Sequence, residues 1–265
     1  MTGVLVPDAN AGKVVVVTGG GTGIGRATAL SFARTGAALA ICGRRPEPLE
    51  AARAQIEAEG AACLARGCDI READQVDIFL DGVLERFGRI DVLVNNAGGQ
   101  FVAQAEDISA KGWRAVHRLT VDATWNMTQQ VAVRSMISER SGLVVFIGFS
   151  PRRGITGFAH ASAARAALEN LASGLAIEWS RYGIRAVCVS AGTIDTEGLA
   201  GYGQEAVERA RALVPLGRLG SPEEVGQIIA FLATAGGAYV TGSTVVVDGG
   251  LDAWGLGETP PSPET

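Results

Sequence analysis

The residue types with the plainest chemical meaning lie near the start of the chain, in Thr18-Gly19-Gly20-Gly21-Thr22-Gly23-Ile24-Gly25. Gly19, Gly23 and Gly25 keep a TGxxxGxG spacing, with Thr22 and Ile24 inside it. Glycines let a backbone turn tightly and approach a pyrophosphate, and a helix starting there offers N–H donors and the positive end of its dipole. A glycine-rich loop can also be a mere turn. Here it joins an apolar run, Lys13 to Val17, to a helical pattern, Gly23 to Gly36, which is the context of a dinucleotide-binding loop. The next apolar run ends Ile41-Cys42-Gly43-Arg44-Arg45. An acid at this point reads the ribose 2′-hydroxyl of NAD, whereas arginine accommodates a 2′-phosphate. Gly43 stands in the acid's place and Arg44 and Arg45 follow, so the expected cofactor is NADPH rather than NADH. The bland alternative is a pair of solvated charges at a helix start.

A loop of this kind needs a strand before it and a helix behind it, and the chain repeats that alternation throughout. Strands are expected at Lys13–Val17, Ala37–Cys42, Ala62–Arg66, Val92–Asn95, Leu143–Ile147, Ile184–Val189 and Thr244–Val247. Helices are expected at Gly23–Gly36, Pro46–Gly60, Glu72–Phe87, Ser109–Arg140, Ala159–Trp179 and Pro222–Thr234. Continuous short apolar runs mark strands buried on both faces. Seven of them with intervening helices predict an α/β fold, one Rossmann-type doubly wound domain with a seven-stranded parallel sheet and helices on both faces. The 36 glycines gather at the junctions rather than in a linker. The domain is expected over residues 1–252, with 253–265 as a C-terminal tail.

Composition narrows the function. Apolar residues make up 47% and charged residues 19%, which excludes a disordered chain. The net charge of −5 argues against a nucleic-acid surface. Val14-Val15-Val16-Val17 and Val245-Val246-Val247 fall far short of the roughly 18 apolar residues of a membrane span. Met1 to Asn10 lacks a signal-peptide pattern, and Cys42, Cys63 and Cys188 read as small buried side chains, so a reduced, cytoplasmic protein is expected. Two histidines and four cysteines without a CxxC leave no expected metal site.

The glycine loop, Cys68-Asp69-Ile70, Asn95-Asn96-Ala97-Gly98, Tyr239-Val240-Thr241-Gly242 and Val247-Asp248-Gly249-Gly250 together resemble the short-chain dehydrogenase/reductase superfamily over about residues 10–252. The resemblance implies that Asp69 and Ile70 flank the adenine and that Asn96, Ala97 and Gly98 line the cofactor. It implies that Ile194 and Thr196 cover the nicotinamide end, and that the protein is a homotetramer built from the two long helices and the last strand. Ala191 replaces the family's proline in the cover segment, which predicts a looser loop. The family's catalytic set is Asn, Ser, Tyr and Lys; the tyrosine is the acid/base, and the lysine holds the ribose and lowers the tyrosine's pKa. Counting back from Leu175-Ala176-Ile177-Glu178-Trp179 places Arg165 at the lysine position and Ala161 at the tyrosine position. Thr120 falls at the asparagine, and the serine falls at Gly148 or Phe149 with Ser150 adjacent. Tyr182, Tyr202 and Tyr239 lie elsewhere in the pattern.

Within the superfamily, Gly98-Gly99-Gln100-Phe101, Ala105 to Trp113 and His160-Ala161-Ser162-Ala163-Ala164-Arg165 resemble the peroxisomal trans-2-enoyl-CoA reductases. Thr196-Glu197-Gly198-Leu199 resembles the peroxisomal 2,4-dienoyl-CoA reductases. The implied reaction is reduction of a C=C conjugated to a CoA thioester, which needs no tyrosine at a ketone oxygen. Two readings stay beside it: a ketone/alcohol oxidoreductase on a bulky acyl-CoA or steroid-like substrate, and a catalytically silent cofactor-binding subunit. For the reductase, Arg165 can hold the ribose but gives no proton. His160 can donate one near neutral pH or make a structural hydrogen bond. Ser150 can meet the thioester carbonyl or cap its strand. His117, Thr120 and Thr124 share one helix face that looks into the cleft or an interface, while Asp122, about 200° from Thr120, faces away. Arg152 and Arg153 can meet CoA phosphates or serve as loop charges.

Overall fold

Valine and isoleucine runs that are apolar at every position can be buried only between two layers, and they form the sheet. The computed structural model describes residues 5–152 and 154–254. Its strands are β1 (Val14–Thr18), β2 (Ala38–Gly43), β3 (Cys63–Gly67), β4 (Val92–Asn95), β5 (Gly142–Phe149), β6 (Ile184–Ala191) and β7 (Thr244–Val247). They pair in parallel in the order β3-β2-β1-β4-β5-β6-β7. The helices are α1 (Gly23–Ala33), α2 (Pro46–Ala58), α3 (Ala73–Phe87), α4 (Ala110–His117), α5 (Ala123–Val131), α6 (Ile137–Glu139), α7 (Ala159–Glu178), α8 (Glu197–Ala200), α9 (Gln204–Ala212), α10 (Pro222–Leu232) and α11 (Leu251–Trp254). The doubly wound α/β fold is therefore the one the alternation predicts.

Side chains alternate across each strand, so each strand feeds two cores. Val14, Val16, Cys42, Leu93 and Phe146 pack with α3, α5 and α7 on one face. Val15, Val17, Ile41, Val94 and Val145 pack with α1, α2 and α10 on the other. All four cysteines are free and buried, and burial pushes the Cys63 thiol up to about 12, as expected of packing residues rather than ligands. No group of metal-binding side chains, and no helix long and apolar enough to cross a membrane, occurs among the described residues.

Three differences from expectation bear on the site. The helix predicted over Ser109–Arg140 is a run over 110–139, capped by Ser109 Oγ, which accepts the Gly112 N–H at 3.0 Å. It is interrupted by π-helical turns at Arg118–Asp122 and Ala132–Met136. Strands β5 and β6 run two residues further than predicted, to Phe149 and Ala191. Ala191, at the family's proline position, is paired with Val247 and buried, so it belongs to the strand and the cover segment begins after it. Helices α8 and α9 fill a stretch where no element was anticipated. Helix α11 crosses the expected start of the tail, and residues 255–265 lie outside the described residues.

Helix α10 starts in a capping box between Ser221 and Glu224 and lies against α1 at Gly226. A Cβ there would stand 2.9 Å from the Ala27 backbone. Because α1 carries the phosphate loop, this contact sets where the loop points. Gly226→Val is expected to destabilise the protein by about 1–3 kcal/mol through overpacking, read as a lower urea midpoint with an unchanged slope.

Candidate active site

Strands β1 and β4 are neighbours whose chains leave in opposite directions, which opens a crevice at their carboxyl ends. Both sides of the crevice are tied. Thr18 Oγ1 accepts the backbone N–H groups of Asn96 (3.1 Å) and Ala97 (3.0 Å). Asn96 Nδ2 donates back to Thr18 O (2.9 Å) and Gly19 O (3.2 Å). The loop glycines answer to this tie. Gly19 has φ +65° and a Cβ there would meet Asn96 Nδ2 at 2.9 Å, while a Cβ on Gly25 would run into the Gly19 carbonyl. Gly23, at φ +51°, lets α1 begin immediately. Thr22 at its N-cap makes no side-chain cap bond and the first turn holds no acid. The helix's first N–H groups thus have no cap from within the helix. One of them, Gly23 N–H, donates to Glu197 Oε2 at 3.2 Å, and Arg26 Nη2 donates to Glu197 Oε1 at 2.9 Å. The backbone N–H of Glu197 itself, together with Arg26 and Gly23, holds that carboxyl below its ordinary range.

Two hollows follow, with Gly98 on the wall of both. The first, about 210 Å³, is lined by Gly19, Thr22, Gly43–Arg45, Cys68–Ile70, Ala97 and Gly98. Arg44 and Arg45 therefore border it. Asp69 is paired with Arg71, which holds its carboxyl below the usual range, with Arg44 adding to the effect. Gly43 is not forced by space, since a Cβ there would lie 3.6 Å from Leu49 at van der Waals distance. The second hollow, about 460 Å³, shares Gly98 with the first and adds Ile24, Asn96, Phe149, Arg165, Ile194, Thr196 and Tyr202. Every expected cofactor residue is thus on a wall of one hollow or, as with Gly23 and Gly25, shapes the loop between them. Glycines that leave no room for a Cβ, a helix terminus without its own cap and two basic side chains at one end fit a nicotinamide dinucleotide.

The expected catalytic residues separate. Arg165 borders the second hollow, lies against Gly98, donates to Ile147 O, and has no ion-pair partner among the described residues. Burial pulls its pKa down, though a guanidinium stays charged. His160, five residues earlier on α7, is fully buried with its ring stacked on Phe101 at 4.2 Å. Among the described residues neither ring nitrogen has a hydrogen-bond partner. Burial first, then His117, pushes its pKa below the ordinary imidazole value. The expectation of a proton donor at His160 is corrected accordingly: the ring is packed behind Phe101, off the cleft wall. Ser150 Oγ donates to Asp248, and its N–H donates to Ala191 O at 2.8 Å, so Ser150 closes the strand end and does not face a substrate carbonyl. Thr120 is buried in the first π-turn, away from the hollow's lining, and Asp122 is exposed, as expected. His117 stacks on Trp113 at 4.4 Å. Arg152 is bound to Asp252 (3.1 Å) and Glu169 (3.5 Å), so its charge is already met, and Arg153 lies outside the described residues.

Two site residues escaped the sequence reading, Glu197 at the helix terminus and Tyr202 on the cleft wall. The available signal was Gln204 to Ala212, whose composition is helical and which would have placed Tyr202 in a turn before a helix.

This fold, with its glycine loop at the switch point, matches a family model described as enoyl-(acyl carrier protein) reductase over residues 19–252. The chain belongs to the short-chain dehydrogenase/reductase superfamily, in the branch of the 2,4-dienoyl-CoA reductases, and is an oxidoreductase with a nicotinamide cofactor. It is 32% identical over 243 residues to a probable 2,4-dienoyl-CoA reductase, (2E)-enoyl-CoA-producing, of Bacillus subtilis (strain 168), covering 90% of this chain and 96% of that protein. It is 36% identical over 247 residues to probable 2,4-dienoyl-CoA reductase 3, (3E)-enoyl-CoA-producing, of Caenorhabditis elegans, covering 90% and 80%. Among solved structures, the citronellol catabolism dehydrogenase of Pseudomonas aeruginosa PAO1 superposes with a TM-score of 0.85 at 34% identity, over 95% of this chain and all of that one.

Two outcomes follow from the geometry. The Glu197 carboxylate and a pyrophosphate cannot both use the Gly23 N–H, so Glu197→Gln should tighten the reduced nicotinamide dinucleotide about two- to fivefold, measured by fluorescence titration. A histidine whose folded pKa is depressed leaves the unfolded chain binding more protons, so stability falls as pH drops below the ordinary value of 6.5. His160→Phe should flatten that part of the stability profile between pH 7 and 5, measured by thermal unfolding.

Proposed function

We propose that the protein is an NADPH-dependent reductase of a conjugated C=C in an enoyl- or dienoyl-CoA thioester. The observation that carries this reading is the first two turns of α7. The position expected for the family's tyrosine holds Ala161, buried against Val116 and Ala164, and the position expected for its lysine holds Arg165, a cation on the cleft wall. A ketone reductase needs an acid at the substrate oxygen beside that cation, and Ala161 supplies none. A double-bond reductase needs a fixed positive charge near the enolate that forms on the thioester, which Arg165 provides from the cleft wall. The dienoyl-CoA reductase names of the relatives agree with this chemistry.

The cofactor, once bound, supplies the hydride. Arg44 and Arg45 would hold the 2′-phosphate, and the α1 terminus would hold the pyrophosphate. Arg165, anchored on Ile147 O, keeps N–H groups for ribose hydroxyls and directs its charge into the cleft. The cover from Ile194 to Ala200 is held by the Ile194–Gly220 bridge and by Thr196 Oγ1, which accepts the Leu199 N–H at 3.2 Å. That cover forms one wall of the cleft. Two apolar surfaces support the homotetramer: Trp113, Trp125 and Val133 along residues 110–139, and Ile177, Phe231, Tyr239 and Val246 beside β7. The compartment in this reading is the cytoplasm.

NADPH oxidation at 340 nm with a panel of 2-enoyl-CoA, 2,4-dienoyl-CoA, 3-oxoacyl-CoA and free ketones tests the reaction. Turnover is expected with the conjugated esters, and turnover confined to ketones would refute the reading. Cofactor choice has its own check. Arg44→Ala should weaken NADPH more than NADH by about ten- to a hundredfold, the scale of a charge-assisted bond of about 1.5–3 kcal/mol. Gly43→Asp, for which there is space, should shift the preference toward NADH.

A further inference from the structure

Reducing the conjugated bond leaves an enolate that must gain a proton, and the three residues expected to help do not face the cleft. His160 is behind Phe101, Ser150 is bound to Asp248, and Thr120 is buried. Among the described side chains that line the 460 Å³ cleft, two ionise, Arg165 and Tyr202. Arginine does not release its proton under these conditions. Tyr202 is thus the one wall group able to give one up.

Its setting is built from both sides. Tyr202 lies in the turn between α8 and α9, where its N–H donates to Leu199 O at 3.0 Å and Gly203, at φ +88°, redirects the chain. Its ring meets Phe158 edge to face, with centroids 6.3 Å apart. Phe158 packs on the small cluster that contains Ala161. A phenol next to the cover therefore meets a ring that packs on the cluster holding the helix position that lacks one. The other two tyrosines are remote from this cluster: Tyr182 lies under Arg181, and Tyr239 is fully exposed beside β7. At 39% exposure, Tyr202 also touches water at the cleft mouth.

We propose that Tyr202 is the catalytic proton donor of the reduction, an assignment that rests on the double-bond reductase reading. The far carbon of the conjugated bond accepts a hydride, two electrons that leave the reduced nicotinamide oxidised. The π pair moves into the thioester as an enolate beside Arg165. The Tyr202 O–H bond breaks as a C–H bond forms at the α-carbon, and the phenolate regains a proton from water at the mouth.

The test compares the parent protein with Tyr202→Phe, which keeps the ring on Phe158. With NADPH and a 2,4-dienoyl-CoA, kcat is expected to fall about 10²–10⁴-fold, with KM changed less than threefold and NADPH binding and Tm unchanged. The solvent deuterium isotope effect and the high-pH decline of kcat should change with it. A readout independent of turnover is nitration of Tyr202 by tetranitromethane, located by peptide mass, which the enoyl-CoA product with NADP⁺ should block. A variant with parent-like kcat and pH profile, or unprotected nitration, overturns the assignment while leaving the reductase reading standing. A parent protein that binds NADPH but reduces no conjugated ester overturns both.

Discussion

The hydrogen bonds that join Thr18 to Asn96 and Ala97 fix the reference frame for the whole site. Past Val17 and Val94 the sheet ladder between β1 and β4 ends, and the two loops turn to opposite faces. What holds them in register is a reciprocal set: Thr18 Oγ1 accepting two N–H groups, and Asn96 Nδ2 donating to two carbonyls. Half-made, such a partly buried set would cost more than it contributes when complete. The glycine at position 25 exists because a Cβ there would enter this set, and so would one at position 19. Gly98, three residues past the end of β4, is in turn the surface on which the Arg165 guanidinium lies. One tie thus positions the phosphate loop, the axis of α1 and the cation of the second hollow.

The electrostatics of the cleft run against those of the molecule. The chain carries −5 overall, yet the hollows are bordered by a helix N-terminus, Arg44, Arg45 and an Arg165 with no ion-pair partner among the described residues. Nearby acids are each engaged: Asp69 by Arg71, and Asp248 by Ser150 and the N–H groups of Gly250 and Asp252. Glu197 is the exception in kind. It occupies an anion position at the end of α1 while more than half of its side chain is exposed, so its bond is the one that can exchange for a phosphate at little cost. A local positive field of this shape attracts a polyanion and repels nothing the reaction needs.

The parallel sheet was legible because burial on both faces writes itself as unbroken valine runs, and the phosphate loop because its constraints are local in sequence. The long helix was legible as an apolar pattern but not in phase: a π-turn at Arg118–Asp122 inserts extra residues per turn, so faces counted at 100° per residue drift past Thr120. His160 and Arg165 show a different limit. They are five residues apart, about 140° around α7, and only the packing of Phe101 decides that one ring goes into a wall while the other head group enters the cleft. Ser150 was ambiguous for the same reason, since its partner Asp248 is 98 residues away. Tyr202 carried no periodic signal at all; its neighbour Phe158 comes from a distant loop.

Moving the acid from α7 to the cover changes what the cation is for. In a tyrosine–lysine pair four residues apart on one helix, the cation sits beside the phenol and lowers its pKa, so acid and cation act as one rigid unit at a ketone oxygen. Here the cation is anchored to β5 through Ile147 O, and the proposed phenol hangs from the α8–α9 turn. The two are held by different segments, so in the proposed reaction Arg165 would stabilise charge on the thioester whether or not the cover is in place, whereas protonation by Tyr202 would require the cover. Hydride addition to a conjugated bond tolerates that separation, because the enolate is a discrete species that can wait for its proton. Carbonyl reduction does not, because the alkoxide must be met by an acid as it forms. On the proposed reading this division of labour would favour substrates whose negative charge can delocalise, and it would tie completion of the reaction to the segment that also bears Glu197, whose carboxylate bonds the Gly23 N–H at the phosphate loop.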